Sequence, residues 1–182
     1  MILRTVAVVI LSLLVRLPVN AEANRGVSPE YVIKAAYIYN FAMFVEWPAE
    51  AFARSDSPFV IGVVGTDRFG SALEDIIRDK RVNNRRFVIK RLQNYQDATD
   101  CHIVFFHSGE AARIADVVEH LKRAPVLLVG ESPDFAKRGG IINFAVEDNK
   151  VRCEISVGAA KRARLAISSK LLSLAKVIDG AH

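Results

Sequence analysis

The sequence has few cysteines, no long apolar run and no marked excess of one charge. Two cysteines among 182 residues are too few for a disulfide-rich miniature domain, and they lack the ligand spacing of a structural zinc site. No uncharged run approaches the roughly 20 residues that cross a bilayer. The 25 basic and 20 acidic residues are interleaved along the chain, so the net charge gives no support for nucleic acid as a partner.

The composition that remains is that of one globular domain. Apolar residues make up 51% of the chain and charged residues 25%, which is the usual balance of a folded protein and excludes a disordered chain. A length of 182 residues is enough for one core and too short for two domains of ordinary size. We therefore expect a single domain that folds by burying apolar surface.

The N-terminal segment has the pattern of a secretory signal peptide. A basic residue precedes the uncharged run of residues 5–15, and small or modest residues end at Ala21. We expect residues 1–21 to be removed by cleavage near Ala21, because a membrane anchor would need a much longer apolar run. Residues 22–28 are then a flexible lead and residues 29–180 the folded domain. The mature protein is expected in the periplasm, and it is not expected to span the membrane.

Within the folded domain, short apolar strands alternate with amphipathic helices. The predicted helices cover residues 31–46, 69–77 and 110–121, and the predicted strands cover residues 59–64, 87–92, 103–106 and 126–129. Such alternation is typical of βαβ units, whose crossovers produce a parallel sheet with helices on both faces. The predicted fold class is α/β, a single Rossmann-like domain of three layers with a mostly parallel sheet.

The C-terminal part of the domain departs from this alternation. Residues 141–146 and 151–156 are short runs joined by a polar turn over residues 147–150, which predicts an antiparallel hairpin at the edge of the sheet. Residues 157–178 carry leucine, isoleucine and valine at helical spacing, so a C-terminal helix is predicted there.

Cys101 and Cys153 both lie in apolar runs with the character of strands. The periplasm permits a disulfide between them, provided that their Cα atoms come within about 7 Å of each other. Two separate buried thiols are the alternative, because a buried cysteine behaves as a small apolar side chain. The sequence leaves both alternatives open.

The loops after the predicted strands carry candidate ligand-binding residues. In a doubly wound sheet, ligands bind beyond the carboxyl ends of the strands. The loop residues there with polar side chains are Thr66, Asp67, His107, Ser108, Glu131, Ser132 and Asp134, and of these Asp67, His107, Ser108 and Asp134 are the predicted ligand residues. They support a periplasmic small-molecule receptor as one alternative function.

The same loops contain no catalytic or cofactor motif. Ser108 lies in no GxSxG elbow, so it gives no support for a nucleophilic triad. The glycines of residues 62–70 match neither a dinucleotide-binding loop nor a Walker loop. The histidines lack the paired spacing of metal ligands. We therefore expect no enzyme activity, no cofactor and no metal.

The first predicted helix is unusually rich in aromatic residues. Ser28 and Pro29 mark its start, and the segment KAAYIYNFAMFVEWP at residues 34–48 places aromatic side chains almost all round it. Aromatic residues of this kind either pack in the core or form a partner surface, and both can hold on different faces of one helix.

This segment and several others resemble the YfiR-like family of exported bacterial proteins. The further matching segments are FVIGVVGTDRFG at 59–70, CHIVFF at 101–106, PVLLVGESPDFAKRGGIINF at 125–144, VRCEIS at 151–156 and AISSKLLSLAKV at 166–177. The resemblance implies a periplasmic α/β domain without known catalysis, which binds the sensor region of an inner-membrane diguanylate cyclase and restrains it. Cyclic di-GMP output and biofilm formation then respond to signals from the cell envelope.

The resemblance also bears on where the partner binds. The exposed part of the first helix is the expected contact, and the family's helix motif falls on Tyr39, Asn40, Phe41, Phe44 and Trp47. Cys153 stands where the family usually has an aromatic residue, so the redox-sensitive disulfides of some members are not carried over. The signal, the identity of the downstream enzyme and the oligomeric state, a homodimer included, stay open.

Overall fold

The structure, a computed structural model, describes residues 26–178. The expected signal peptide, the first part of the expected lead and the last four residues of the chain lie outside the described residues. Residues 26–28 have no regular secondary structure and lead directly into the first helix. Among residues 26–178, no helix combines the length and the apolar character that crossing a bilayer requires.

The secondary structure alternates between short helices and short strands. The helices are α1 (Pro29–Phe44), α2 (Ala72–Ile77), α3 (Ile114–Leu121), α4 (Val157–Arg162) and α5 (Ser169–Leu172). The strands are β1 (Val45–Glu46), β2 (Phe59–Val64), β3 (Arg81–Val82), β4 (Arg85–Leu92), β5 (Ile103–Phe106), β6 (Leu127–Gly130), β7 (Ile142–Glu147), β8 (Lys150–Ser156), β9 (Ala166–Ile167) and β10 (Lys176–Ile178). Segments of 3₁₀ helix lie at Ala49–Ala51, Tyr95–Asp100 and Ser108–Arg113.

Eight of these strands form one sheet in the order β10-β8-β7-β6-β5-β2-β4-β3. Strands β4, β2, β5, β6 and β7 run parallel to one another, while the hairpins β3–β4 and β7–β8 are antiparallel. Strands β1 and β9 pair separately as a small antiparallel ribbon. The predicted α/β class and the mostly parallel sheet are confirmed.

Helices cover both faces of the sheet. On one face, α1 contacts α2 and β8, and the rings of Phe41 in α1 and Phe144 in β7 stack with their centres 5.7 Å apart. On the other face, Val118 of α3 and Ala159 of α4 line one small cavity together with Leu128 of β6. The domain therefore has three layers, as predicted.

The apolar strands β2 and β5 lie at the centre of the sheet. Every residue of Phe59–Val64 and of Ile103–Phe106 is buried, because helices cover these strands on both faces. This explains why their sequences are apolar throughout instead of alternating with polar residues. Phe105 of β5 packs edge-on against Phe69, with ring centres 4.8 Å apart.

Helix α1 begins where its sequence predicts and ends earlier than predicted. Ser28 lies at the N-cap position and Pro29 at the first helical position. The helix ends at Phe44, because Val45 is extended, with φ of −110°, and pairs with Ile167 in the ribbon of β1 and β9. A contact distant in sequence therefore sets this boundary.

The predicted C-terminal helix over residues 157–178 is wrong. This segment forms α4, β9, α5 and β10 in succession. Arg164 has a φ of +58°, a left-handed conformation that a continuing helix cannot adopt. The hydroxyl of Ser168 accepts a hydrogen bond from the Leu171 amide at 3.3 Å and so caps the start of α5.

The predicted hairpin is confirmed, but it does not lie at the edge of the sheet. Strands β7 and β8 are joined by Asp148 and Asn149, whose φ values of +49° and +59° suit a two-residue turn. Strand β10 pairs with β8 on its outer side, so the hairpin lies one strand in from the edge.

Candidate functional site

The carboxyl ends of the parallel strands lie at one edge of the sheet, and the strand order reverses between the neighbouring strands β2 and β5. The chain passes from β2 to β4 on one side and then returns to β5 on the other side. In doubly wound sheets, ligands bind in the crevice at this switch point. The loops that follow β5 and β6 lie at this edge, and the start of α1 packs against them through Tyr31 and Lys34.

Glu131, the first residue after β6, is the centre of a buried polar cluster. Only 5% of its side chain is exposed. Its carboxylate accepts hydrogen bonds from the Tyr31 hydroxyl at 2.8 Å, the Lys34 ammonium at 2.6 Å and the Ser108 amide at 3.2 Å. His107 Nε2 lies 3.5 Å from the same carboxylate. These five residues are named the Glu131 cluster.

Lys34 is a buried cation whose charge is matched by two acids. Only 3% of its side chain is exposed, and its ammonium contacts the carboxylates of Glu30 and Glu131. The ammonium also lies 4.7 Å from the centre of the Tyr31 ring. Removing a charge from water is costly unless the protein supplies such partners. The partners explain how a lysine can lie on the buried face of an otherwise apolar helix.

Tyr31 remains a hydrogen-bond donor. Burial raises the pKa of Tyr31, and its hydrogen bond to Glu131 and the charge of that carboxylate raise the pKa further. The hydroxyl therefore keeps its proton at neutral pH and donates to Glu131.

Two buried polar atoms at this edge, His107 Nε2 and Asn143 Oδ1, have no hydrogen-bond partner among residues 26–178. His107 Nδ1 accepts a hydrogen bond from the Gly109 amide at 3.1 Å, so the proton of a neutral ring is assigned to Nε2. The side-chain amide of Asn143 donates to Glu154 at 3.2 Å, which leaves its oxygen without a partner. Such atoms are uncommon in folded proteins, because each costs free energy.

An open cavity of about 370 Å³ adjoins the Glu131 cluster. The polar residues that line it include Tyr31, Lys34, Arg68, Ser108, Glu131 and Asn143. These groups can hydrogen-bond a small ligand, and Ser108 contacts Glu131 through its main-chain amide. In the part of the chain that the structure describes, no three histidine, cysteine or acidic side chains are placed to hold a metal ion.

Two of the four ligand residues predicted from the sequence have partners of their own elsewhere. Asp67 accepts a hydrogen bond from Arg91 at 2.8 Å. Asp134 accepts one from Lys137 at 2.7 Å on the exposed surface. Neither lines the cavity beside the Glu131 cluster, whereas His107 and Ser108 belong to that cluster.

Tyr31 and Lys34 are absent from the residues that the sequence predicted for this site, whereas Glu131 is one of the candidates in the strand-end loops. Lys34 carried a usable signal, because it is the only charged residue between Glu30 and Glu46. A single charge in an apolar helix needs a buried partner of opposite charge. The sequence does not show which of the 20 acidic residues supplies that partner.

Three of the predicted partner-binding residues of the first helix and its exit pack against the domain itself. Phe41 is fully buried, which argues against a direct contact with another molecule. Trp47 is partly buried, and its Nε1 donates to the His102 carbonyl at 3.2 Å. Tyr39 is partly buried, with its ring centre 5.9 Å from that of Phe87.

The other two, Asn40 and Phe44, are exposed and belong to a stripe along α1. The remaining members are Val32, Ile33 and Met43, and the four apolar side chains of the stripe are between 37% and 46% exposed. A spacing of seven residues separates Ile33 from Asn40, and spacings of three and four separate Asn40 from Met43 and Phe44, so all five lie on one side of the helix over about 18 Å. These five residues are named the α1 stripe, and an exposed apolar row of this kind is a candidate partner surface.

Cys101 and Cys153 are both free, buried thiols. Cys101 Sγ approaches Gly62 on the face of the sheet that carries Val104, whereas Cys153 pairs with Phe144, whose ring packs against α1 on the opposite face. The sheet separates the two thiols, so the structure contradicts the disulfide alternative. Burial raises the pKa of Cys101 to about 11 and that of Cys153 to about 12, which disfavours the reactive thiolate form.

Comparisons with known proteins place most of the described residues in one family. A family model described as YfiR/HmsC-like matches residues 31–176 of the chain. A search of curated proteins found no match. Among solved structures, the chain is similar to a conserved domain protein from Vibrio cholerae O1 biovar El Tor strain N16961, with 14% sequence identity and a TM-score of 0.48. That similarity covers 65% of this chain and 54% of the Vibrio chain, so this chain spans about half the length of that protein.

Proposed function

The chain belongs to the YfiR/HmsC-like family, and from this membership we propose that it is a periplasmic regulator that binds an inner-membrane signalling protein. The proposed partner is the sensor region of a diguanylate cyclase, which the protein restrains. Cyclic di-GMP synthesis and biofilm formation would then respond to signals from the cell envelope. In this role the protein acts by contact, without turnover and without a cofactor.

The α1 stripe is the observation that supports a contact mechanism. Its apolar side chains lie in a row and are exposed, so a partner that covers them would remove apolar surface from water. In such interfaces a few residues cost about 2 kcal/mol or more when they are truncated to alanine, and most of the others contribute little. The apolar side chains of the α1 stripe are therefore candidates for these few anchor residues.

Restraint of a cyclase requires only a modest preference for one of its states. A bound protein shifts a two-state sensor by the difference between its affinities for the two states. A coupling free energy of about 1–3 kcal/mol corresponds to a change of roughly 5- to 150-fold in that equilibrium. The regulator would therefore bind the inactive form of the sensor more tightly than the active form.

The double variant Met43→Ser and Phe44→Ser tests this placement. Met43 and Phe44 are 44% and 37% exposed, so the variant should fold, with a loss of roughly 1–3 kcal/mol from the apolar area that the two side chains bury in the domain. We expect it to lose co-purification with the cyclase from membranes and to raise cellular cyclic di-GMP to the level of a deletion strain. Leu174→Ser is the matched control, because Leu174 is 75% exposed and lies outside α1, between α5 and β10.

Two results would contradict different parts of the proposal. Low cyclic di-GMP in cells that carry the folded double variant would show that the contact lies outside the α1 stripe. Unchanged cyclic di-GMP after deletion of the gene would show that the protein does not restrain a cyclase.

A second candidate function, a small-molecule receptor, is favoured by the unpartnered atoms His107 Nε2 and Asn143 Oδ1 near the cavity. A ligand with amide or hydroxyl groups could supply the missing hydrogen bonds after small side-chain shifts. A thermal-shift screen against periplasmic metabolites tests this function, because a ligand of the folded state raises the melting temperature. The shift should disappear in Asn143→Ala. A screen without hits, or a shift that survives in this variant, would count against the receptor.

A further inference from the structure

The outer edge of β4 has no strand partner over most of its length. Strand β3 pairs only with Arg85 and Arg86, at the start of β4. Strand β4 continues to Leu92 and pairs with β2 on its inner side. Within residues 26–178, no strand pairs with the outer edge of residues 87–92.

The hairpin of β3 and β4 determines which main-chain groups face outward. Asn83 and Asn84 form its two-residue turn, with φ values of +46° and +64°, so Val82 and Arg85 face each other as a hydrogen-bonded pair. Main-chain groups alternate in direction along a strand, so residues 87, 89 and 91 direct their N–H and C=O groups outward, as Arg85 does. In the described structure, no main-chain or side-chain group accepts from or donates to these outward groups.

A groove of about 530 Å³ runs beside this open edge. Its floor includes the apolar side chains of Ile77 in α2 and of Phe87 and Ile89 in β4. Its wall is formed by residues 78–81, and within them Asp79 adopts a left-handed φ of +58° before the chain enters β3. The groove therefore occupies the position that an earlier start of β3 would have filled.

The groove is basic. Its charged lining residues are Glu74, Arg78, Asp79, Lys80, Arg81, Arg86 and Arg91. Arg91 and Arg78 are paired with acidic side chains. Lys80, Arg81 and Arg86 form no ion pair with any described residue: Lys80 lies over the Tyr39 ring, and Arg81 donates only to the Asn84 carbonyl. Three positive side chains are thus available to an acidic partner.

We propose that this groove binds an extended acidic segment of a partner protein, which adds to the outer edge of β4 as a further strand. The open main-chain groups of Phe87, Ile89 and Arg91 pair with the main chain of the segment, as in other cases of strand addition. Alternate apolar side chains of the segment cover the floor, and its carboxylates meet Lys80, Arg81 and Arg86. An anionic membrane would use the positive charges but neither the strand edge nor the apolar floor.

Strand addition can be tested directly by amide hydrogen exchange of the isotopically labelled protein. The probe is an acetylated six-residue peptide amide in which glutamate alternates with valine. At a peptide concentration ten times its dissociation constant, exchange at the amides of residues 87, 89 and 91 should slow by about tenfold. The amides of residues 88 and 90 already face β2, so their exchange should change little.

Three control peptides separate strand addition from charge attraction. Replacing glutamate by lysine should abolish binding, because the charge no longer matches the groove. In the other two, proline replaces either a central valine or the glutamate beside it, because only alternate residues of an added strand direct their N–H groups to β4. One of these two should bind much more weakly than the other, because its proline removes a donor from the ladder. Equal binding of both proline peptides would overturn the proposal, as would binding of the acidic peptide without protection of residues 87, 89 and 91.

Charge reversal locates the site. The double variant Arg81→Glu and Arg86→Glu should lower the affinity for the acidic peptide about tenfold or more. The matched control is Lys161→Glu with Arg162→Glu, which changes the net charge equally on exposed positions of α4. An equal loss in both variants would contradict the placement.

No residue of the α1 stripe lines the groove. The Met43→Ser and Phe44→Ser variant should therefore bind the acidic peptide normally. If phosphatidylglycerol vesicles bind the protein while the peptide does not, the basic side chains serve a membrane surface and strand addition is wrong.

Discussion

The two ends of the parallel strands bury polar side chains in opposite ways. At the amino ends, the imidazole of His102 packs against the rings of Phe52 and Phe59, with ring centres 4.4 and 4.8 Å away. At the carboxyl ends, Glu131 and Lys34 form an ion pair from which water is almost excluded. One end of the sheet therefore buries a neutral group, and the other buries charges.

Every hydrogen-bonding atom of the His102 ring has a partner. Nδ1 accepts from the Val60 amide at 3.0 Å, and Nε2 donates to the Ala51 carbonyl at 3.1 Å. Burial lowers the pKa of His102 to about 4, although the hydrogen bond to Ala51 acts in the opposite direction. The ring is therefore neutral at physiological pH, and its role at the amino ends is structural.

At the carboxyl ends, fewer of the buried polar atoms have hydrogen-bond partners. The Glu131 cluster neutralises its own charges, but His107 Nε2 and Asn143 Oδ1 remain without partners near an open cavity. A buried polar network in which every atom is satisfied stabilises a fold, whereas an incomplete one adds a free-energy cost. The difference identifies the amino ends as scaffold and the carboxyl ends as the better candidate for ligand binding.

Removal of one partner of the buried ion pair should have the largest effect on stability. In Glu131→Ala, the Lys34 ammonium keeps only the partly exposed carboxylate of Glu30. We expect the free energy of unfolding, measured by urea denaturation, to fall by about 3–5 kcal/mol. Glu119→Ala is the control, because it removes a surface ion pair with Lys122, and it should cost less than about 1 kcal/mol.

A double variant sharpens the same comparison. Replacing Lys34 by methionine and Glu131 by leucine removes both charges at similar volume, so it should recover the part of the stability that Glu131→Ala loses through the unpaired Lys34 charge. The Tyr31 hydroxyl and the Ser108 amide still lack their acceptor in this variant, so the recovery should be incomplete. If Glu131→Ala costs no more than the surface control, the carboxyl ends do not depend on buried charge.

Lowering the pH should reduce the free energy of unfolding through His102 at the amino ends, by less than Glu131→Ala does. The unfolded chain protonates His102 with a pKa near 6.5, whereas burial holds the pKa in the folded protein at about 4. The unfolded state therefore binds more protons in this window, so the contribution of His102 is complete above about pH 6.5 and is lost as the pH falls towards 4. Between about pH 7 and pH 5, we expect a loss of roughly 2 kcal/mol from this residue.

The variant His102→Gln isolates this contribution, because a glutamine side chain does not titrate. Its urea midpoint should depend less on pH over the same window than that of the parent protein. His120→Gln, at an exposed position of α3, keeps His102 and should retain the full dependence. An unchanged dependence in His102→Gln would mean that the amino ends are not the acid-sensitive part of the fold.

The sheet was more predictable from the sequence than either of its ends. Strands β2 and β5 follow from continuous apolar runs, because a strand covered on both faces carries no polar alternation. The partners of Lys34 and His102 lie far away in the sequence, at Glu131 and Val60. Such pairings depend on how loops meet after folding, and no periodicity within a segment encodes them. The helix predicted over residues 157–178 is wrong for a related reason, because the local spacing of leucines does not reveal that residues 176–178 join the sheet.

The smallest expected change in stability belongs to the experiment on Cys101. This residue directly precedes His102 in the sequence, so the accessibility of its thiol reports on local opening at the amino ends. In Cys153→Ala, Cys101 is the only remaining thiol, and we expect this truncation to cost roughly 1 kcal/mol. Burial raises the pKa of Cys101 to about 11, so a thiol reagent at neutral pH should label it only when the domain opens. Labelling followed by mass spectrometry should therefore match the rate of global unfolding. Rapid labelling of the folded variant would show that the amino ends open locally. Such opening would expose His102 to water and remove the burial that lowers its pKa.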